Sequence, residues 1–215
     1  MQGIHPRILI ADDHTLIADL CKRLLETEFD VVGTVGDGRA LVRTAVIIKP
    51  DVIVVDVTMP ILNGIDAACQ VKQELRAVKV IYLTMNPDPM IAAEAFRRGA
   101  SGYLLKTCAA SELVAAVRAV LRGRSYMSAT LSANDIAYLR RQPKKLVEEE
   151  DKLTGRQREV LQLLAEGKVM KEVGAILNMT TRTVAFHKYR IMEALCVKTN
   201  AELVRYAVRN HMVAA

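Results

Sequence analysis

Asp12 and Asp13 stand directly after an apolar run, Ile8-Leu9-Ile10-Ala11, and Asp56 directly after a second, Val52-Ile53-Val54-Val55. If the two runs are neighbouring strands, three carboxylates converge on one small patch. Like charges at that range raise one another's pKa. A hard divalent cation relieves the repulsion, and Mg2+ prefers a few carboxylate oxygens together with water and phosphate oxygens. Thr84 closes a further run, Val78–Leu83, and Lys106 follows another, Gly102–Leu105, so a hydroxyl and a fixed cation are expected at the same edge. Three acids, a hydroxyl and an amine are what phosphoryl transfer to a carboxylate requires. The metal and the lysine spread the charge of the moving group, and a carboxylate is the nucleophile. Taken singly, an aspartate after a strand is more often a turn former or a helix N-cap. The joint occurrence at four strand ends lifts the reading above that alternative.

These residues need a frame that brings strand ends together. The strand candidates are Arg7–Ala11, Val31–Val35, Val52–Val55, Val78–Leu83 and Gly102–Leu105. Between them apolar residues recur at helical spacing, as in Leu16, Leu20 and Leu24, and in Leu113, Val114, Val117, Val120 and Leu121. Runs apolar on both faces suit parallel strands covered by helices. The expected fold is α/β: a five-stranded, doubly wound parallel sheet, with chemistry at the carboxyl ends of its strands. Asp88-Pro89 reads as an N-cap with proline at N1, Arg97-Arg98-Gly99 as a basic last turn closed by glycine, and Asp37 as a further cap.

Charge divides the chain. Residues 1–122 carry 14 Lys/Arg against 14 Asp/Glu, residues 123–152 carry 6 against 5, and residues 153–215 carry 10 against 5. A neutral domain over residues 1–122 is therefore expected to join, through a partly helical linker at 123–152, a basic all-α domain at 153–215 that meets polyanions. The linker's helical part is expected around Asp135–Arg141, and it closes on the acidic run Glu148–Asp151. With 51% apolar and 25% charged residues, the composition excludes a disordered, collagen-like or disulfide-scaffold chain. Cys21, Cys69, Cys108 and Cys196 are widely spaced and suit reduced thiols, and His5, His14, His187 and His211 show no zinc-ligand spacing. No apolar run approaches the roughly 18 residues of a membrane span, and the N-terminus lacks signal-peptide regions. A cytoplasmic protein with no membrane partner is expected.

In the basic domain, Thr154-Gly155-Arg156-Gln157 fits a capping box, with Leu161, Leu164 and Ala165 as a buried face. After Gly167, three shorter helices are expected near 171–177, 181–195 and 200–210. Two of them, joined by Leu177-Asn178-Met179-Thr180, suggest a helix-turn-helix whose second helix enters a major groove. Thr180 or Thr181 can cap that second helix. On it Val184, Ile191 and Leu195 share a core face, while Arg182, Ala185, Phe186 and Tyr189 point elsewhere beside His187, Lys188 and Arg190. A solvated basic helix packed on a partner is an equal alternative on these residues alone.

Ile8–His14, Asp56–Pro60 with Asn63-Gly64, Leu83-Thr84 and Gly99–Lys106 together resemble a response-regulator receiver domain, and the likeness spans residues 5–122. Leu153–Leu161, Lys171-Glu172-Val173, Thr183-Val184 and His187 resemble the LuxR-type helix-turn-helix of the NarL/FixJ response regulators, over residues 153–210. The resemblance implies a flavodoxin-like receiver joined to a four-helix DNA-binding domain. It implies that Asp56 accepts phosphate from a histidine kinase, and that Asp13 and Asp56 hold Mg2+ with the backbone carbonyl of Thr58, Asp12 acting mainly through water. It implies that Lys106 assists, and that Thr84 and Tyr103 form the switch pair. It further implies that Ala185, Phe186 and Tyr189 face bases, with Arg182, Thr183, His187, Lys188 and Arg190 beside them on double-stranded DNA. Contact with thymine methyls and hydrogen bonding are both open to Phe186 and Tyr189. Leu203, Val204 and Ala207 would meet a second copy on DNA, burial in the domain's own core being equally open to each.

The expected function is a two-component response regulator that binds DNA as a homodimer, when phosphorylated or DNA-bound, to regulate transcription. It is expected to be no dedicated enzyme, although the receiver catalyses its own phosphoryl transfer. Several positions depart from the family pattern. Met85 stands where a small residue is frequent, and Thr107 where proline is. Val169-Met170 lacks a polar cap, and Gly174 replaces an alanine. A dehalogenase-like phosphohydrolase also uses a strand-end aspartate with Mg2+, but needs a second acid two residues on, where Thr58 stands. Gly33–Gly38 does not make G-x-G-x-x-G, which disfavours a nucleotide-binding enzyme. A receiver-like protein acting without phosphorylation is disfavoured by the intact set of acids, threonine and lysine.

Overall fold

The computed structural model describes residues 5–107, 110–128, 131 and 152–213. They form two compact units, one built on a sheet and one purely helical. In the first, β1 (Arg7–Ala11), β2 (Asp30–Val35), β3 (Val52–Asp56), β4 (Lys79–Thr84) and β5 (Gly102–Leu105) alternate with α1 (Thr15–Leu25), α2 (Gly38–Ile48), α3 (Gly64–Glu74), α4 (Pro89–Arg97) and α5 (Ala110–Leu121). With a short sixth strand, β6 (Tyr126–Met127), the strands lie in the order β2-β1-β3-β4-β5-β6 and every pairing is parallel.

The sheet has six strands rather than the expected five. The sixth, β6 (Tyr126–Met127), pairs Tyr126 with Gly102 and Met127 with Tyr103. It comes from residues read as linker. Two residues are too few to show a period, so only the neighbouring edge of β5 reveals them as a strand. The expected helix at 135–141 and the acidic run Glu148–Asp151 lie outside the described residues, as does Cys108.

β3 is buried along its whole length, as its unbroken apolar run requires. Ile8, Ile10, Val52, Val54, Ile81, Leu83 and Leu104 face α1 and α5, where Cys21, Leu25, Val117 and Val120 complete one core. The helix α1 forms where its spacing places it, but with another face inward. Ala18, Cys21 and Leu25 are buried, whereas Leu16 is 82% and Leu20 53% exposed. The helix is apolar on two sides, and its packing against the sheet turns the Ala18–Cys21–Leu25 side to the core.

Helix ends follow their local chemistry. The Asp37 and Asp88 carboxylates accept from Ala40 and Met90 N–H at 2.7 and 2.8 Å, and proline opens α4. Gly99, at φ 90°, closes α4 where a side chain would be strained. No cis peptide occurs among the described residues, so the Lys106–Thr107 bond is trans.

The second unit consists of α6 (Gly155–Ala165), α7 (Met170–Leu177), α8 (Thr181–Ala194) and α9 (Asn200–Arg209). Thr154 and Gln157 make the expected capping box on α6, and Thr180 caps α8. Val160, Leu161, Leu163, Val173, Leu177, Val184, Ile191, Leu203 and Ala207 form the core. Among the described residues no helix is long and apolar enough to cross a membrane.

Candidate functional site

Strand order settles which loops meet. β3 lies between β1 and β4, with Ala11 opposite Val55 and Asp56 opposite Leu83, so Asp12 and Asp56 emerge side by side. Thr84 is opposite Leu105, which carries Lys106 to the same edge. Asp12, Asp56 and Thr84 are all buried. The Lys106 side chain is only 4% exposed, and its ammonium lies 2.8 Å from Asp56 Oδ2 and 2.7 Å from Asp12 Oδ2. The buried ammonium thus pairs with both carboxylates at once, donating a hydrogen bond to Asp56 Oδ2.

The backbone holds both acids. His14 N–H donates to Asp12 Oδ1 at 2.9 Å, and Thr58 N–H donates to Asp56 Oδ1 at 3.2 Å. Gly64 opens α3 directly against β3, where a Cβ would stand 1.9 Å from the Asp56 carbonyl oxygen. Only glycine lets the helix seat that close. Burial pushes the Asp56 carboxyl up, although Lys106 pulls it the other way. Burial also opposes the charge on Lys106, but the two carboxylates more than offset it and its pKa ends above the ordinary lysine value.

A divalent cation fits this donor set. Ligand atoms from Asp12, Asp13, His14 and Asp56 all lie within 4.8 Å of one another. Donors about 2.1 Å from a shared Mg2+ sit about 4.2 Å apart across it, so small adjustments suffice. Hard carboxylate oxygens, those of Asp12 and Asp56 buried at the strand ends, are the donors such a cation takes.

Thr84 Oγ accepts from Asn86 N–H at 3.0 Å. Tyr103 is wholly buried, with its hydroxyl near Thr84 but in no aligned hydrogen bond. Burial pushes its phenol well above the ordinary range. Sequence reasoning missed an ionic cluster behind the site. Asn63 Nδ2 donates to Asp66 at 2.8 Å, Arg98 bridges Asp66 and Glu94, and Arg97 donates to Glu94 at 2.7 Å. The spacing of Glu94 from Arg97 and Arg98 was the available signal; the link to Asp66 on another helix was not readable.

In the helical unit, α8 carries its expected outer residues. Arg182, Thr183, Phe186, Tyr189 and Arg190 are exposed, and Ala185, His187 and Lys188 are half-buried. Arg190 is drawn to Glu193 at 3.0 Å. The turn before α8 is tight: Asn178 is left-handed at φ 55°, and Met179 N–H donates to Gly174 O at 2.8 Å. A Cβ on Gly174 would lie 2.6 Å from the Met179 carbonyl oxygen, so glycine suits this turn rather than merely weakening the helix. Val169 forms no side-chain cap, and only half of a capping box remains, Val169 N–H donating to Glu172 at 2.8 Å.

The expected contact between copies needs correction. Leu203 and Ala207 are buried in the unit's own core, because that side of α9 packs against α6, and neither is available to a partner. Val204, 38% exposed, is the one of the three still accessible.

A family model for the response regulator receiver domain matches residues 8–118, and one for bacterial regulatory proteins of the luxR family matches residues 151–207. The transcriptional regulatory protein LiaR of Bacillus subtilis (strain 168) is 36% identical over 209 residues, spanning 96% of this chain and 99% of its own. The transcriptional regulatory protein DegU of Brevibacillus brevis is 33% identical over 227 residues, spanning 96% and 94%. Among solved structures, RcsB of Salmonella enterica serovar Typhimurium, bound to a promoter in the presence of phosphomimetic BeF3−, matches with a TM-score of 0.55 at 26% identity, covering 94% of this chain and 97% of that one.

Proposed function

We propose a mechanism from the premise that this chain belongs to the response regulators, with a receiver domain and a LuxR-type DNA-binding domain. The family consists of transcription regulators, not dedicated enzymes. In the proposed mechanism, an Asp56 carboxylate oxygen attacks the phosphorus of a histidine kinase's phosphohistidine. The O–P bond forms as the P–N bond breaks, and the imidazole leaves. Asp12, Asp13, Asp56 and the Thr58 carbonyl would hold Mg2+, which when bound would supply charge neutralisation for the phosphoryl oxygens. Lys106 turns its ammonium from the carboxylates to the phosphoryl group, and the Thr84 hydroxyl donates to a phosphoryl oxygen. Tyr103 stays packed behind Thr84, so phosphorylation selects the inward ring. The receiver thereby catalyses its own phosphorylation.

The output is DNA binding by a homodimer in the cytoplasm, with α8 in the major groove of each half-site of a palindromic operator. Arg182, Lys188 and Arg190 serve phosphates, and binding weakens steeply with salt. The observation that carries the input half is the Lys106 ammonium lodged between Asp12 and Asp56 at 2.7 and 2.8 Å. Incubation with radiolabelled acetyl phosphate and Mg2+ tests it. The wild type should label, Asp56→Asn should not, and EDTA should abolish labelling. Label retained by Asp56→Asn would sink the assignment.

A further inference from the structure

We propose that Phe186 and Tyr189 read thymine through its C5 methyl group, making methyl contact the chief direct base readout of this protein. The inference rests on the reading of α8 as the recognition helix. Phe186 is 62% and Tyr189 67% exposed, three residues apart on one face of α8. Every other described Phe or Tyr is buried or half-buried. Two aromatic rings left in water on the most basic helix of the unit have no role in its core.

The polar alternatives on that face are few. Ala185 has no functional group beyond its methyl, and Arg190, exposed and paired with Glu193, is assigned to phosphate rather than to a base. His187 and Lys188 are half-buried. The three base-facing positions thus present a methyl, a phenyl and a phenol ring. In the major groove only thymine offers an apolar group, while the other bases present donors and acceptors. A ring laid against those donors and acceptors strips their water and returns no hydrogen bond, which is costly. Against a thymine methyl, the same ring removes apolar surface from water on both sides. Phe186 is also partly pre-set, since the His187 ring meets it edge-on, with centroids 6.0 Å apart and planes at 69°. Arg182, one turn earlier and exposed, is placed to anchor the helix on phosphate.

The test uses the full-length protein treated with acetyl phosphate. Binding sites are first selected from a random pool of duplex DNA. The enriched duplex is then remade with each thymine in turn replaced by deoxyuridine, which deletes the methyl and leaves base pairing intact. At one or more thymines in each half-site, the substitution should weaken wild-type binding by about fourfold per methyl. Phe186→Ala or Tyr189→Ala should erase that difference at the position each ring contacts, and Tyr189→Phe should keep it. Enrichment of a site whose deoxyuridine forms bind as tightly as the parent would overturn the proposal while leaving the recognition helix intact. So would a methyl effect undiminished in both alanine variants. Loss of thymine preference in Tyr189→Phe would assign that reading to the hydroxyl and also overturn it. If no sequence is enriched, the DNA-binding reading fails and the proposal with it.

Discussion

Replacing Val169 by threonine should stabilise the helical unit. Val169 already has N-cap geometry, with φ −75° and ψ 155°, and its N–H already donates to Glu172. What the site lacks is a side-chain oxygen for the N–H of Glu172. The other three helices of the unit have one: Thr154, Thr180 and Thr199 accept from Gln157, Thr183 and Glu202 at 3.3, 3.1 and 3.2 Å. Supplying such a cap contributes about 1 kcal/mol. Threonine also exchanges a methyl for a hydroxyl on a side chain that is 61% exposed. At about 0.8 kcal/mol per fully buried carbon, the part in contact with protein gives up about 0.3 kcal/mol. The net gain is about 0.7 kcal/mol, which for a unit of this size raises its midpoint by about 3–6 °C. Thermal and urea unfolding of the full chain, followed by far-UV circular dichroism, measures it, with Val169→Ala as the control that removes the valine without adding a cap. A Val169→Thr protein no more stable than the wild type, or a Val169→Ala protein that gains as much, would refute the reasoning.

Gly64→Ala should destabilise the receiver by about 2 kcal/mol or more, since the overpacked neighbour is backbone that cannot turn aside, and should reduce acetyl phosphate labelling with it; urea unfolding and the labelling assay check both. Stability should also respond to the burial of Asp56. Its pKa is raised in the folded chain, so the stability it contributes is present below the ordinary carboxylate value and lost as pH rises through the raised one. In EDTA, Asp56→Asn should therefore be more stable than the wild type at pH 7, with a difference that shrinks on acidification; a difference that grows instead would contradict the sign. Burial pushes the Cys21 thiol up to about 11, whereas Cys196 is exposed. Peptide mapping after mild alkylation of the native protein should find Cys196 modified well before Cys21.

Much of the site was legible because strand-end chemistry is local. Asp12, Asp56, Thr84 and Lys106 each follow an apolar run, and a parallel sheet gathers the ends of such runs at one edge. Cap residues were legible for the same reason, since Asp37, Asp88, Thr154 and Thr180 act on N–H groups two or three residues away. Face selection was not. Leu16 and Leu20 have the spacing of a core stripe and stand in solvent, while Leu203 and Ala207, for which a partner contact and a core position were equally open, fill a core. Periodicity says that a helix has an apolar side, but not which of two such sides the neighbouring elements will cover.

The amino-acid sequence alone thus determined the identity of the two units, the acidic residues at the strand ends and the basic helix, because each depends on residue type at short range. The tertiary structure alone decided the rest. Pairing with β5 made a strand of Tyr126–Met127. The approach of α3 to β3 left no space for a side chain at Gly64, and the turn into α8 left none at Gly174. Packing on α6 withdrew Leu203 and Ala207 from any partner. Each of these outcomes turns on a contact between segments distant in the chain, and no local pattern encodes which surface the other segment will bring.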